Sequence, residues 1–312
     1  MDNLFSFNEH TSMVTRHIIK GNRPVFSLRT LCRALRICSN NLCGSIERNL
    51  YESFSMSFLT QLDPKSHQLV SSLIEKALVN SKTVLKKAIE KPASGDYINL
   101  EGYWIKKGSS TVISRDNYIL TKSVKNNLKD LSRIVSIGRL PVLLQGPTSA
   151  GKTSLIEYVA TGNKCLRINN HEHTDLQEYI GSYSPDISGI LKFNEGVLVD
   201  AMRNGYWIIL DELNLASTDI LEALNRVLDD NREIFVSETQ TVIKAHPNFM
   251  LFATQNPPGL YGGRKILSRA FKNRFIELHF SEIPREELEI ILEKRCSIPE
   301  SYPPPPPFFE AI

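Results

Sequence analysis

No Cys-x-x-Cys pair occurs among the five cysteines, Cys32, Cys38, Cys43, Cys165 and Cys296. An odd number without paired spacing argues against a disulfide framework and reads as reduced, core-packed thiols in a cytosolic or nuclear protein. No apolar run approaches the roughly 20 residues a membrane span needs, and the amino terminus lacks an apolar signal core. Charge of one sign is lacking too: 37 Lys and Arg against 34 Asp and Glu leave +3, which makes no case for direct nucleic-acid binding. Basic clusters of the nuclear-import kind are missing, since Lys86-Lys87 and Lys106-Lys107 are too sparse. What remains is an ordinary globular composition, 41% hydrophobic and 23% charged, on 312 residues, enough for one large domain and a smaller one.

Against that plain background one stretch stands out. Gly146-Pro-Thr-Ser-Ala-Gly-Lys-Thr153 fits G-x-x-x-x-G-K-[ST], the phosphate-binding loop. Pro141-Val-Leu-Leu-Gln145 before it reads as a buried strand, and Ser154-Leu-Ile-Glu-Tyr-Val-Ala160 after it reads as a helix. Strand, glycine loop and helix is the order that phosphate binding needs. Gly146 and Gly151 let the backbone curl so that N–H groups converge on one phosphate chain, and the helix terminus adds partial positive charge. The candidate cradle is Gly146, Pro147, Thr148, Ser149, Ala150, Gly151, Lys152 and Thr153, with Lys152 on the β- and γ-phosphates and the Thr153 hydroxyl on Mg²⁺.

From residue 141 to residue 280, apolar runs alternate with helical patterns. Cys165-Leu-Arg-Ile168, Tyr206-Trp-Ile-Ile-Leu210, Phe249-Met-Leu-Phe-Ala253 and Phe275-Ile-Glu-Leu-His279 read as further strands. Such alternation predicts an α/β fold, a doubly wound parallel sheet with ligands at the carboxyl ends of its strands. The third run closes on Asp211-Glu212. Two adjacent carboxylates ending a buried strand imply a cation nearby, because unpaired charge there is costly. Asp211 is the candidate Mg²⁺ residue and Glu212 the base that polarises attacking water. The fourth run enters Thr254-Gln-Asn-Pro-Pro258, where Asn256 is placed to orient that water or touch the γ-phosphate. Arg269 and Arg274 precede the fifth strand, from which an arginine can reach a neighbouring subunit's γ-phosphate.

The flanks are less specific. Residues 1–75 read as a small helical bundle. It comprises a helix over residues 11–20, a break at Asn22-Arg23-Pro24, and a helix capped by Ser27 with Leu28, Leu31 and Leu35 on one face. Arg29, Arg33 and Arg36 share another face, and a third helix over residues 43–62 carries Ile46, Leu50, Phe54 and Phe58 as its apolar stripe. Residues 76–96 read as a linker or boundary helix, and Tyr97-Ile-Asn-Leu-Glu-Gly-Tyr-Trp-Ile105 as an edge strand. Residues 118–120 and a helix near residues 123–135 lead into the loop strand. His171-Glu-His173 lacks a third metal ligand and reads as a polar loop. Ser184-Pro-Asp-Ile-Ser-Gly-Ile-Leu-Lys-Phe193 reads as a hairpin inserted in a helix. Residues 296–312 are proline-rich and expected to be disordered.

Together these motifs resemble the AAA+ ATPases, in the branch with a hairpin inserted in helix 2. The wording of Arg167-Ile-Asn-Asn-His-Glu-His-Thr-Asp-Leu-Gln-Glu-Tyr-Ile-Gly181, Leu210-Asp-Glu-Leu-Asn-Leu215 and Ala253-Thr-Gln-Asn-Pro-Pro-Gly-Leu-Tyr-Gly-Gly263 is closer still to the giant dynein-related members. Those members strip assembly factors from maturing large ribosomal subunits in the nucleus. They carry six ATPase modules per chain, each an α/β part followed by a helical lid. The resemblance implies ATP and Mg²⁺ as ligands. Neighbouring AAA+ modules and the pre-ribosomal large subunit with its assembly factors are the implied partners, without a membrane. It implies that residues 1–75 are the lid of a preceding module, with Arg29 as that module's lid arginine, and that residues 97–295 are the next α/β part. It assigns Lys152, Thr153 and Asp211 to nucleotide and metal, Glu212 to water, Asn256 to sensing the γ-phosphate, and Arg274 to an arginine finger acting on an adjacent module. A proline-rich stretch stands where the family continues into a lid, so the chain is expected to be a piece of a larger protein. Two other readings stay open. One is a nucleotide-holding module without turnover, against which the intact Glu212, Asn256 and Arg274 argue. The other is a GTPase, against which the missing N-K-x-D guanine signature argues, since Asn163-Lys-Cys-Leu166 lacks the Asp.

Overall fold

The computed structural model describes residues 28–40, 43–60, 62, 64–110, 118–187, 189–257 and 263–296. The helix read at residues 11–20, the Ser27 cap, the Arg29 side chain and the proline-rich tail lie outside them.

The amino-terminal unit is helical: α1 (Leu28–Asn40), α2 (Ile46–Phe54), α3 (Pro64–Leu78) and α4 (Lys82–Lys86). Ser45 caps α2 by accepting the Arg48 N–H at 3.2 Å. A π turn, Ser55–Leu59, continues α2 and rotates its inner face, so that every residue from Glu52 to Leu59 is buried. Leu31, Ala34, Phe54, Phe58, Val70 and Ile74 form the core of this unit, with Phe54 and Phe58 stacked at 5.4 Å. The apolar faces differ from the expectation at their ends. Leu28, Leu35 and Ile46 are exposed, because α1 turns Leu31, Ala34 and Ile37 inward and the burial in α2 starts a turn later. The unit also extends beyond residue 75, since α3 runs on to Leu78.

The stretch expected as one edge strand is a hairpin, β1 (Tyr97–Leu100) paired with β2 (Tyr103–Lys106). Its two-residue turn, Glu101-Gly102, has φ of +49° and +91°, the left-handed pair that matches strand twist. The α/β unit then runs α5 (Lys122–Ile137), β3 (Val142–Gln145), α6 (Lys152–Val159), β4 (Cys165–Asn169), α7 (Leu176–Ile180), β5 (Gly181–Pro185), β6 (Leu191–Glu195) and α8 (Val197–Asn204). It continues through β7 (Trp207–Asp211), α9 (Thr218–Leu228), β8 (Glu233–Val236), β9 (Thr241–Lys244), β10 (Met250–Gln255), α10 (Arg269–Lys272), β11 (Ile276–His279) and α11 (Arg285–Cys296). The sheet order is β11-β3-β10-β7-β4, every pair parallel. Alternate residues feed two cores: Leu143, Ile208, Leu210, Leu251 and Ala253 on one face, Val142, Leu144, Ile209, Phe252 and Ile276 on the other. The inserted hairpin is β5–β6, closed by hydrogen bonds from Asp186 N–H to Ile190 O and from Gly189 N–H to Asp186 O, both 2.9 Å, in keeping with its Asp and Gly turn residues.

Ile37 of α1 and Met56 of the π turn enter the second core, so the two units share packing. Their charged contact centres on Glu52, which is fully buried. Glu52 Oε2 accepts the Tyr103 hydroxyl at 2.8 Å and stands 2.6 Å from Arg133 Nε of α5, while Arg48 Nε lies 2.7 Å from Oε1. Arg133 also lies over the Tyr103 ring, 5.6 Å from its centroid. Arg33 of α1 adds hydrogen bonds to the carbonyls of Asn273 and, at 2.7 Å, Phe275. Removing one member of such a buried network leaves uncompensated charge, a loss of roughly 3–5 kcal/mol. Glu52→Ala is therefore expected to destabilise the chain on that scale, read as a lower denaturation midpoint, whereas Arg36→Ala, which breaks only an exposed pair with Asp230, should shift it by no more than about 1 kcal/mol.

Candidate active site

Register builds the site. Leu143 stands opposite Ala253, Ala253 opposite Leu210, and Leu210 opposite Ile168. The carboxyl ends of β3, β10 and β7 are thus level, and Gly146, Asn256 and Asp211-Glu212 leave the sheet side by side. Gly146 has no room for a side chain: a Cβ there would meet the Phe280 carbonyl oxygen at 2.5 Å. Gly151 turns into α6 at φ +78°, the left-handed region that glycine enters freely.

Lys152 Nζ donates to Gly146 O at 2.8 Å, Pro147 O at 2.7 Å and Asn256 Oδ1 at 2.9 Å. An ammonium has three hydrogens, and these acceptors engage all of them. Burial holds the Lys152 pKa below its ordinary value; the charges of Asp211 and Glu212 oppose that shift and Arg264 reinforces it.

Asp211 gathers three side chains. The Thr153 hydroxyl lies 3.3 Å from both carboxylate oxygens, the Arg167 guanidinium pairs with Oδ2, and the Thr254 hydroxyl donates to Oδ1. Behind it Asn170 Nδ2 donates to the Asp211 carbonyl at 2.8 Å, and Asn170 Oδ1 accepts the buried Tyr179 hydroxyl at 2.6 Å. Glu212 occupies the left-handed region, φ 51° and ψ 47°, a conformation costing of order 1 kcal/mol for a residue with a side chain. Its N–H donates to Thr254 Oγ1 at 3.1 Å, so one threonine fixes both acidic residues. Glu212 Oε1 accepts Asn256 Nδ2 at 3.2 Å, and Oε2 accepts Arg264 Nη2 at 2.6 Å.

The cleft they enclose holds about 200 Å³ and is lined by residues 148–154 with Asp211, Glu212, Thr254 and Asn256. A hydroxyl and a carboxylate are hard oxygen donors of the kind Mg²⁺ takes, and they adjoin the loop that would hold phosphate, so the donor set fits a nucleotide with Mg²⁺. A larger cavity of about 450 Å³ opens at the amino ends of the strands, beside Trp207 and Met250, away from this chemistry.

Of the residues read from sequence, Lys152, Thr153, Asp211, Glu212 and Asn256 come together here. Arg274 does not: Nε pairs with Asp229 at 2.8 Å and Nη1 donates to Ala270 O at 2.9 Å. Arg167, Asn170, Thr254 and Arg264 were not singled out from sequence. The signal for Arg167 was an arginine inside the apolar run of β4, and for Thr254 its place at the strand end two residues before Asn256.

Residues 141–275 match the AAA domain of the dynein-related subfamily, and residues 7–81 match the midasin AAA lid domain. The chain belongs to the dynein-related AAA+ ATPases. It is 52% identical over 298 residues to midasin of Dictyostelium discoideum, covering 90% of this chain and 5% of that one. It is 44% identical over 313 residues to midasin of Giardia intestinalis, covering 92% of this chain and 6% of that one. It is 31% identical over 160 residues to an uncharacterised Staphylococcus aureus protein, covering 49% of this chain and 60% of that one. The chain therefore spans only about a twentieth of the length of the midasins it matches. The order of the two matches, a lid and then an AAA domain, agrees with the helical unit preceding the α/β module, and the lid match reaches residue 81 rather than 75.

Thr254→Val keeps shape and removes the hydroxyl shared by Asp211 and the Glu212 N–H. A loss of about 1–3 kcal/mol in unfolding free energy is expected. A change within experimental error would show that the threonine does not hold the strand end.

Proposed function

We propose that this P-loop module binds ATP with Mg²⁺ and hydrolyses it at an interface completed by a neighbouring AAA+ module. It would do so as part of a midasin-type ring that removes assembly factors from precursors of the large ribosomal subunit in the nucleus. The observation that carries the chemical part is the convergence of Lys152, Thr153, Asp211, Glu212 and Asn256 on one cleft. Lys152 and the loop N–H groups hold the phosphates. Thr153 and Asp211 would hold Mg²⁺, which supplies positive charge to the phosphate oxygens. Glu212 accepts a proton from the attacking water, and Asn256 orients it. Arg274, paired with Asp229 outside the cleft, belongs in this reading to the neighbouring module's site. Similarity to midasins over most of the chain supports the ring and the ribosomal part. One observation favours a nucleotide-holding module without turnover: the Glu212 carboxylate is already paired with Arg264.

Calorimetry with ATP and ADP, with and without Mg²⁺, tests the binding step; Lys152→Ala should abolish it. Glu212→Gln should retain binding and lower turnover of the assembled protein by at least about 100-fold, the scale of a lost general base. Unchanged turnover in Glu212→Gln would overturn hydrolysis at this site. Binding that survives Lys152→Ala would overturn the assignment of the phosphate loop.

A further inference from the structure

Four side chains form one continuous relay across the cleft. Lys152 donates to Asn256 Oδ1 at 2.9 Å, Asn256 Nδ2 donates to Glu212 Oε1 at 3.2 Å, and Glu212 Oε2 accepts Arg264 Nη2 at 2.6 Å. The Asn256 amide is planar, so its two ends move together: a pull on Nδ2 is felt at Oδ1. The arginine end of the relay is built in. Its side chain is only 10% exposed. The adjacent residue is tied twice to the turn that follows Glu212, through Lys265 N–H to Asn214 O at 2.9 Å and Lys265 Nζ to Ala216 O at 3.1 Å. Asn214 Nδ2 in turn donates to the Asn256 carbonyl at 3.0 Å. Arg264 is therefore delivered to Glu212 by backbone anchored on both sides of the base, and its pairing does not depend on a freely swinging side chain.

For Lys152 to reach a phosphate it must release at least one of its three acceptors. Gly146 O and Pro147 O belong to the loop backbone that itself cradles the phosphates. Asn256 Oδ1 is the acceptor on a side chain, and that side chain is held in place through Glu212.

We propose that Arg264 is the latch of the nucleotide site: by holding Glu212 it holds Asn256, and through Asn256 it restrains Lys152 from the phosphates and Glu212 from water. Arg264 is thus a positioning residue whose release accompanies ATP engagement. This rests on the reading that the cleft binds ATP.

The latch makes a prediction opposite to that for an ordinary cationic phosphate contact. ATP titrations would compare the parent chain with Arg264→Met, which keeps the stem and removes the charge, with Arg264→Gln as a second neutral variant and Arg264→Lys as the charge-retaining one. Circular dichroism would establish that each is folded. ATP is expected to bind about fivefold tighter to Arg264→Met or Arg264→Gln, roughly 1 kcal/mol, and with nearly parent affinity to Arg264→Lys. In an Asn256→Ala background, where the relay is cut, Arg264→Met should change affinity no further, the non-additivity expected of coupled residues. Weaker ATP binding in the neutral variants would overturn the latch and make Arg264 a phosphate contact. Equal and additive effects with and without Asn256 would overturn the relay. The two readings fail separately. Parent binding lost in Lys152→Ala, together with weaker binding in Arg264→Met, sinks only the latch. If neither the parent nor Arg264→Met binds ATP, the ATP-binding reading falls and the latch falls with it. If only Arg264→Met binds, the latch stands.

Discussion

The chemistry of this chain depends on one constraint, the parallel register of β3, β10 and β7. Each strand is short, and each delivers its functional residues within a few positions of its last ladder partner. A slip of one residue would reverse which face every side chain meets. Leu143, Leu210 and Ala253 would exchange places with Leu144, Ile209 and Phe252, and both cores would be lost together. Burial on both faces of the sheet therefore fixes the geometry of the cleft far more firmly than any contact inside it. Thr254 converts that register into a site. As a β10 residue beside the end of β7, it donates to Asp211, accepts from Glu212 N–H, and holds Glu212 in its left-handed conformation.

The helical unit is fastened to the α/β module at two places that differ in kind. Around Glu52 a buried carboxylate is matched by two guanidinium groups and a phenol, so a relative shift of the units would expose or orphan charge. At the other place Arg33 grips the carbonyls of Asn273 and Phe275, the residues on either side of Arg274. The backbone that presents Arg274 is thus held by a helix of the preceding lid. Movement of that lid has a direct mechanical route to the arginine proposed to act on a neighbouring module.

Much of this was legible in the sequence because the strongest signals were short and local. The phosphate loop, the Asp211-Glu212 strand end and the five apolar runs each lie within a few residues, and β3, β4, β7, β10 and β11 fall within two residues of where periodicity put them. The inserted hairpin was marked by its turn residues. What escaped was set by partners distant in the chain. Leu28 and Ile46 fit an apolar stripe but are exposed, with no element among the described residues to cover them, while Met56 is buried because α5 lies against it. Tyr97 to Ile105 alternates as a single strand would, yet Gly102 folds it back. Arg264 and Glu52 look like ordinary surface charges in sequence, and Arg167 shows only as an arginine in an apolar run; the fold alone brings Arg167 to Asp211, 44 residues away, and Arg264 to Glu212, 52 residues away.

Charge explains why these arginines sit where they do. Lys152, Arg167 and Arg264 face Asp211 and Glu212, three cations against two carboxylates, leaving one positive charge in a half-buried cleft. A net positive cleft attracts a polyanion. Each carboxylate has its own arginine, so neither is left as an unpaired charge in a low-dielectric site. A ligand that brought only negative charge would compete for the arginines and strand the acids. In the proposed reading a nucleotide accompanied by a divalent cation brings both signs, so the cation can take the place of Arg167 at Asp211 while the phosphates take the guanidinium. On the proposed reading the Arg167–Asp211 pair would favour the metal–nucleotide complex over free nucleotide, because the complex can exchange partners there without an electrostatic deficit.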